Sequence, residues 1–103
     1  MIDLKQAERY AELLSALSET HRIQVIEVLR AGSCHVTELA RLLNDEIVNV
    51  SHHLGILRAA KVVKTVRKGR FIIYSLNPEI FKYQEDKSMI MDIGWCRVEF
   101  PHH

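Results

Sequence analysis

Cysteine is scarce in this chain, with two residues, Cys34 and Cys96, among 103. Two are too few for a disulfide scaffold, and a reducing cytosol keeps both as thiols. Long apolar runs are missing as well. None approaches the roughly 18–20 residues that span a bilayer, and the N-terminus lacks the basic-then-apolar layout of a signal peptide. A soluble, cytoplasmic protein without a membrane partner is expected. Charge of one sign is lacking overall, since 14 Lys and Arg stand against 13 Asp and Glu, for a net +1. Any attraction for nucleic acid must therefore come from local clustering. Glycine-rich phosphate loops, nucleophile elbows and zinc-peptidase signatures are absent too, and an enzyme is not expected.

What remains is an ordinary globular composition, 48% apolar, with length for one domain over residues 1–103 and one modest core. The stretch that organises it is Asn44 to Arg58. As a helix it places Ile47, Val50, Leu54 and Leu57 on one stripe, at the three-and-four spacing that buries a face. Asn44 or Asp45 can cap its first turn. The opposite face carries Val48, Asn49, His52, Gly55 and Ala59, small or polar and without an acid. Such a face suits the DNA major groove. Taken alone, it also describes an amphipathic surface helix.

Upstream, residues 3–17 read as a helix capped by Asp3, with Leu4, Ala7, Tyr10, Ala11, Leu14 and Leu17 as an apolar stripe. That stripe can pack within the chain or form a dimer surface. Ser18 is expected to cap a second helix, with Ile23, Ile26 and Leu29 inward and Gly32 as a left-handed stop. Thr37 to Leu43 reads as a third helix, capped by Thr37, with Leu39, Leu42 and Leu43 inward. Joined to the central helix by a short turn, it gives a helix-turn-helix over about 37–60.

Downstream, β-branched and aromatic residues fill two arms around Lys68-Gly69, a β-hairpin over about 62–76. Every charge from Arg58 through Arg70 is positive. The hairpin is either a solvated edge guarded by lysine or a wing lying along phosphates. In the extension 77–103, Asn77-Pro78-Glu79 should start a helical turn or two, with Ile80, Phe81 and Tyr83 folding back. From Met89 the tail is apolar and poorly periodic until Cys96, Val98 and Phe100 alternate with Arg97 and Glu99, as in a half-buried strand. Pro101, His102 and His103 are expected to fray.

Several segments together resemble the ArsR/SmtB family of winged-helix repressors. Leu17 to Ile23 is similar to the opening of the family's second helix, and Val36-Thr37-Glu38-Leu39-Ala40 to the helix before its turn. Val50-Ser51-His52-His53-Leu54 with Leu57-Arg58 resembles its recognition helix. Gly69-Arg70 with Tyr74-Ser75-Leu76 resembles its wing. The resemblance covers roughly residues 10–80 and implies a mainly α winged helix-turn-helix fold, α-α-α-α-β-β plus a short C-terminal segment. It also implies homodimers that bind an inverted-repeat operator on double-stranded DNA, and repression. Lys61 departs from the family's usual glycine, so the central helix should be tied off differently. The family's thiolate site, two cysteines flanking a valine, falls here on His35 and Thr37, with Cys34 one residue off. The other family site needs Asp and His ligands on a long C-terminal helix, a pattern the tail lacks.

The candidate DNA contacts are therefore Val48, Asn49, Ser51 and His52 on the central helix. Asn49 can offer adenine a bidentate pair, and Ser51 and His52 can reach a base edge or phosphate. Arg67, Lys68 and Arg70 are the phosphate clamps, with Arg58 and Lys64 beside them. His52 and His53 are adjacent and diverge on a helix, so they cannot chelate one ion. His53 flanks the buried stripe and reads as a hydrogen-bonded packing residue. Cys34 with His35 is a metal half-site that needs Cys96 or a partner subunit to complete it, which weighs against a metal cofactor. The two cysteines can alternatively form a redox switch or stay inert. The function expected is sequence-specific transcriptional regulation. The alternative is a winged-helix module whose basic hairpin meets an acidic protein.

Overall fold

Helix α1 (Leu4–Leu17) starts where Asp3 and Gln6 exchange side-chain hydrogen bonds with each other's backbone N–H. This capping box satisfies two otherwise orphaned donors. The computed structural model describes residues 1–102; His103, expected to fray, lies outside them. Helix α2 (Thr20–Ala31) is capped by Glu19 rather than Ser18. The Ser18 hydroxyl turns back to the Ser15 carbonyl, while the Glu19 carboxylate accepts from the His21 and Arg22 N–H groups. Val25, Ile26 and Leu29 face inward, whereas Ile23 is exposed. Gly32 ends α2 in an extended conformation, φ 163°, not a left-handed one.

A two-residue strand with no counterpart in the sequence pattern, β1 (Cys34–His35), precedes helix α3 (Val36–Leu43). His35, not Thr37, caps α3, through a reciprocal pairing with Glu38. Leu39 is fully buried, but Leu42 points outward. Helix α4 (Ile47–Ala59) buries Val50, Leu54 and Leu57, as its period requires, while Ile47 at its first turn stays half exposed. Strands β2 (Val63–Lys68) and β3 (Phe71–Leu76) form the expected hairpin, closed by the Lys68–Phe71 pair. Gly69 takes φ 60° at the turn, a conformation two-residue hairpins favour at their first central position. β1 pairs with β3 on its other edge, giving a three-stranded sheet of order β1-β3-β2.

The extension differs most from expectation. Asn77 does not start a helix: its side chain accepts from the Glu79 N–H and donates to the Lys61 carbonyl, closing a turn. Strands β4 (Phe81–Tyr83), β5 (Met89–Asp92) and β6 (Arg97–Phe100) then build a second antiparallel sheet of order β4-β5-β6. Phe81, Met89 and Met91 are buried in the same core cluster as the helices. Val98 and Phe100 alternate inward with Arg97 and Glu99 outward, as the sequence implied. Arg30 on α2 donates to the Phe100 and Pro101 carbonyls, so Pro101 is tied down rather than frayed.

The end of α4 carries a second surprise. Lys61 adopts φ 65°, the left-handed conformation glycine favours. The Val62 N–H bonds the Leu57 carbonyl and the Lys61 N–H that of Arg58, the pattern of a helix closed by a left-handed residue. The glycine geometry is thus kept without the glycine, against the expectation of a different ending. A side chain in this region costs on the order of 1–3 kcal/mol, partly offset because glycine loosens the unfolded chain. Lys61→Gly is therefore expected to raise the melting temperature by a few degrees, read by differential scanning calorimetry. A drop would show that the Lys61 side chain contributes more than the strain costs.

Candidate nucleic-acid interface

Between α3 and α4 the chain turns on Asn44, at φ 52° and ψ 49°. Asparagine tolerates this left-handed position better than most residues. The Asn44 and Asp45 N–H groups bond back to the Arg41 and Ala40 carbonyls. Glu46 is the N-cap of α4, but its side chain makes no capping bond. Asp45 serves instead: its Oδ1 accepts from the Glu46 N–H at 2.7 Å and from the Asn49 side-chain amide at 3.0 Å. These two bonds, that from Asn49 first, hold the Asp45 carboxyl below the usual carboxylate range.

With Val50, Leu54 and Leu57 anchored in the core, α4 presents Val48, Asn49, Ser51, His52 and Arg58 to solvent. Gly55 and Ala59 between them add no bulk, and a Cβ built at Gly55 would meet nothing within 4 Å. The Asn49 amide is not idle, as its place on an open helix face implies. Asp45 holds one of its two amide hydrogens, which leaves the amide oxygen and the other hydrogen for a base edge.

On the wing, Arg67, Lys68 and Arg70 are exposed, and Arg67 and Lys68 make no ion pair among the described residues. Arg70 lies over the Phe71 ring, 5.3 Å from its centroid. Phe71 in turn stacks on His35 at 4.7 Å, fixing the turn end of the wing against the start of α3. Lys64 is paired with Glu79 at 3.2 Å. An exposed pair of this kind is worth at most about 1 kcal/mol, so a phosphate can displace it at small cost.

Cys34, His35 and Cys96 do not assemble a three-donor set. His35 is spent on capping and stacking, Cys34 is buried, and both cysteines are free thiols. Burial, with Glu38 nearby, pushes the Cys34 thiol above its ordinary 9.0. The neutral thiol is thus the form the fold favours: its contribution holds below about pH 9 and is lost as pH rises through the folded value. A thiol alkylating reagent at neutral pH is expected to label Cys96 well ahead of Cys34, read by peptide mass spectrometry. Equal labelling would contradict this.

Among the described residues one group of three donors could hold a metal ion, and it lies elsewhere: Glu19, His21 and His53. For His53, expected to be a hydrogen-bonded packing residue beside the buried stripe, only the packing is seen. His53 is packed, as expected, but its Nδ1 is buried without a hydrogen-bond partner. Glu19 and His21, two positions apart at a helix start, are the only sign of the cluster in the sequence itself. The hydrogen bond between them holds Glu19 below and His21 above their ordinary values.

A helix-turn-helix followed by a basic hairpin on a shared core is the architecture of winged helix-turn-helix proteins. No family model matches the sequence. The chain is 34% identical over 70 residues to the transcriptional repressor SdpR of Bacillus subtilis, covering 68% of this chain and 78% of that protein. It is 39% identical over 75 residues to the HTH-type transcriptional regulator NmtR of Mycobacterium tuberculosis, covering 73% of this chain and 62% of NmtR. Among solved structures, HlyU of Vibrio cholerae aligns with a TM-score of 0.67 and 27% identity, over 73% of this chain and 82% of HlyU. The homodimeric winged helix-turn-helix DNA-binding domain Mb0332 of Mycobacterium bovis aligns at 0.70 and 25%, over 77% of this chain and 75% of that one. The chain belongs to the ArsR/SmtB family of transcriptional regulators. No helix among the described residues is long and apolar enough to cross a membrane.

Proposed function

We propose that this protein is a homodimeric, sequence-specific DNA-binding repressor. The observation that carries the reading is the exposed outer face of α4, free of acids, beside the unpaired cations Arg67 and Lys68. Asn49, Ser51 and His52 would meet base edges, with Val48 against a thymine methyl. Arg67, Lys68 and Arg70 would clamp phosphates, joined by Arg58 and, once freed from Glu79, Lys64. Repressor polarity follows the names of the relatives, SdpR among them.

Dimerisation draws on α1. Only Leu13 and Ala16 of this helix are buried in the monomer. Ile2, Ala7, Tyr10, Ala11 and Leu14 line a shallow apolar groove with Trp95, whose ring stacks on Tyr10 at 5.7 Å. Of the apolar tail, Met89 and Met91 are buried in the monomer's own core, while Trp95 lines this groove. A two-fold dimer would set two α4 helices about 34 Å apart, so the operator should be an inverted repeat. Sedimentation is expected to give a dimer at micromolar concentration. A monomer both with and without DNA would contradict the reading.

A further inference from the structure

Three donor side chains that take no part in the DNA-facing surface converge where α2 begins. Glu19 and His21 come from the start of that helix, and His53 comes from the middle of α4. The Glu19 Oε1 lies 2.8 Å from His21 Nδ1, and Oε2 lies 3.7 Å from His53 Nδ1. The two imidazoles stack nearly parallel, with centroids 5.4 Å apart and planes at 10°. One donor atom from each residue lies within 4.8 Å of the other two. Zinc-like ions hold nitrogen and oxygen ligands at about 2.0–2.2 Å, which sets tetrahedral neighbours about 3.4 Å apart. The separations seen here bracket that value. His21 is exposed, so its ring is free to rotate out of the stack and turn a nitrogen toward a common point.

We propose that Glu19, His21 and His53 form a binding site for a divalent transition-metal ion, tying the start of α2 to the middle of the recognition helix. Two imidazoles and a carboxylate with no thiolate suit zinc, cobalt or nickel rather than a soft copper(I) or a hard magnesium ion. The buried Nδ1 of His53, which has no hydrogen-bond partner and only a long 3.7 Å approach from Glu19, is the second observation that points to a ligand. An orphaned buried atom of this kind is a standing cost to the fold. A cation there would satisfy it without moving α4. Asp45 adds a second carboxylate whose charge is felt at both imidazoles, so the site faces a cation with more negative charge than Glu19 alone supplies. The same carboxylate holds the Asn49 amide, so it is shared between the field of the cluster and the base-reading side chain. The site stands independently of DNA binding, because its test uses the protein alone.

The test is titration of reduced, full-length, metal-free protein with cobalt(II), followed by visible absorption. The parent is expected to saturate at one equivalent per chain, with the bands of a low-coordinate site and no thiolate-to-cobalt charge transfer. A Cys34→Ser/Cys96→Ser double variant should behave like the parent. His21→Ala, at an exposed position that leaves the core untouched, should weaken cobalt binding at least tenfold. His53→Gln should do the same, with its fold checked by circular dichroism. Binding unchanged in His21→Ala, lost in the double cysteine variant, or never saturating would overturn the proposal.

Discussion

Replacing Arg67 and Lys68 together by alanine is expected to weaken binding to operator and random duplex alike, by about 30-fold at moderate salt. The figure follows from roughly 1 kcal/mol for each charge at close range in water. Both side chains project from the end of β2 into solvent with no acidic partner among the described residues, so their charge is available for phosphate. The log–log salt slope should flatten by about 0.9 for each phosphate that is no longer neutralised. Phosphate pairing carries no sequence information, so the ratio of operator to random affinity should hold nearly constant. Titrations of both duplexes at two salt concentrations check it. A variant that loses only discrimination would mean that the wing reads bases.

Leu54→Ala is expected to have the largest effect on the folded state. Leu54 is 0% exposed, and it shares the core with Val25, Leu39 and Val62. It sits on the inner side of the helix whose outer side carries the candidate base-reading residues. Removing three carbons at such a site costs about 2–5 kcal/mol, a large share of the roughly 5–15 kcal/mol that holds a domain together. At about 4–8 °C per kcal/mol for a domain near this size, the melting temperature should fall by roughly ten degrees or more. Ile47→Ala, at the half-exposed first turn, should cost well under half as much. Thermal melts of the two variants, followed by circular dichroism, make the comparison. Similar losses would place the core boundary on the wrong side of α4.

The contrast between these two aliphatic positions also shows what a sequence can carry. Period alone identifies Val50, Leu54 and Leu57, because core positions on one helix repeat at a spacing that the side-chain pattern preserves. It also assigns Ile47 inward, since periodicity does not register that the first turn of α4 overhangs the core. The caps of α2 and α3 fall one or two residues from their expected places, whereas at α4 Asp45, one of the two residues expected, takes the Glu46 N–H. At α2 and α3, Glu19 and His35 supply the same acceptor lone pairs as the expected Ser18 and Thr37.

The second sheet is harder to see. Met89-Ile90-Met91-Asp92 reads as an apolar run, yet Met89 and Met91 turn inward while Asp92 turns out. Four residues are too few to establish a period of two. The pairing of Phe81 with Met91 and of Ile90 with Glu99 depends on turns whose geometry no local signal fixes. The Glu19–His21–His53 cluster is illegible for a related reason. Its third member lies far along the chain from the other two, and only the packing of α4 across α2 brings them together. The Asp45–Asn49 bond, by contrast, spans the four-residue spacing at which helix side chains meet. It is open to inspection in the sequence, and it changes what Asn49 is expected to do.

That change bears on the most direct test, which is Asn49→Ala titrated against a selected operator and a random duplex at two salt concentrations. A good bidentate base pairing discriminates by about 1–3 kcal/mol. The Asp45 carboxylate takes one amide hydrogen and leaves the oxygen and the other hydrogen for the base, so the loss should be at least about fivefold in the operator-to-random ratio. The salt slope should stay as in the parent. An unchanged ratio together with a flattened slope would contradict the assignment of base reading to α4.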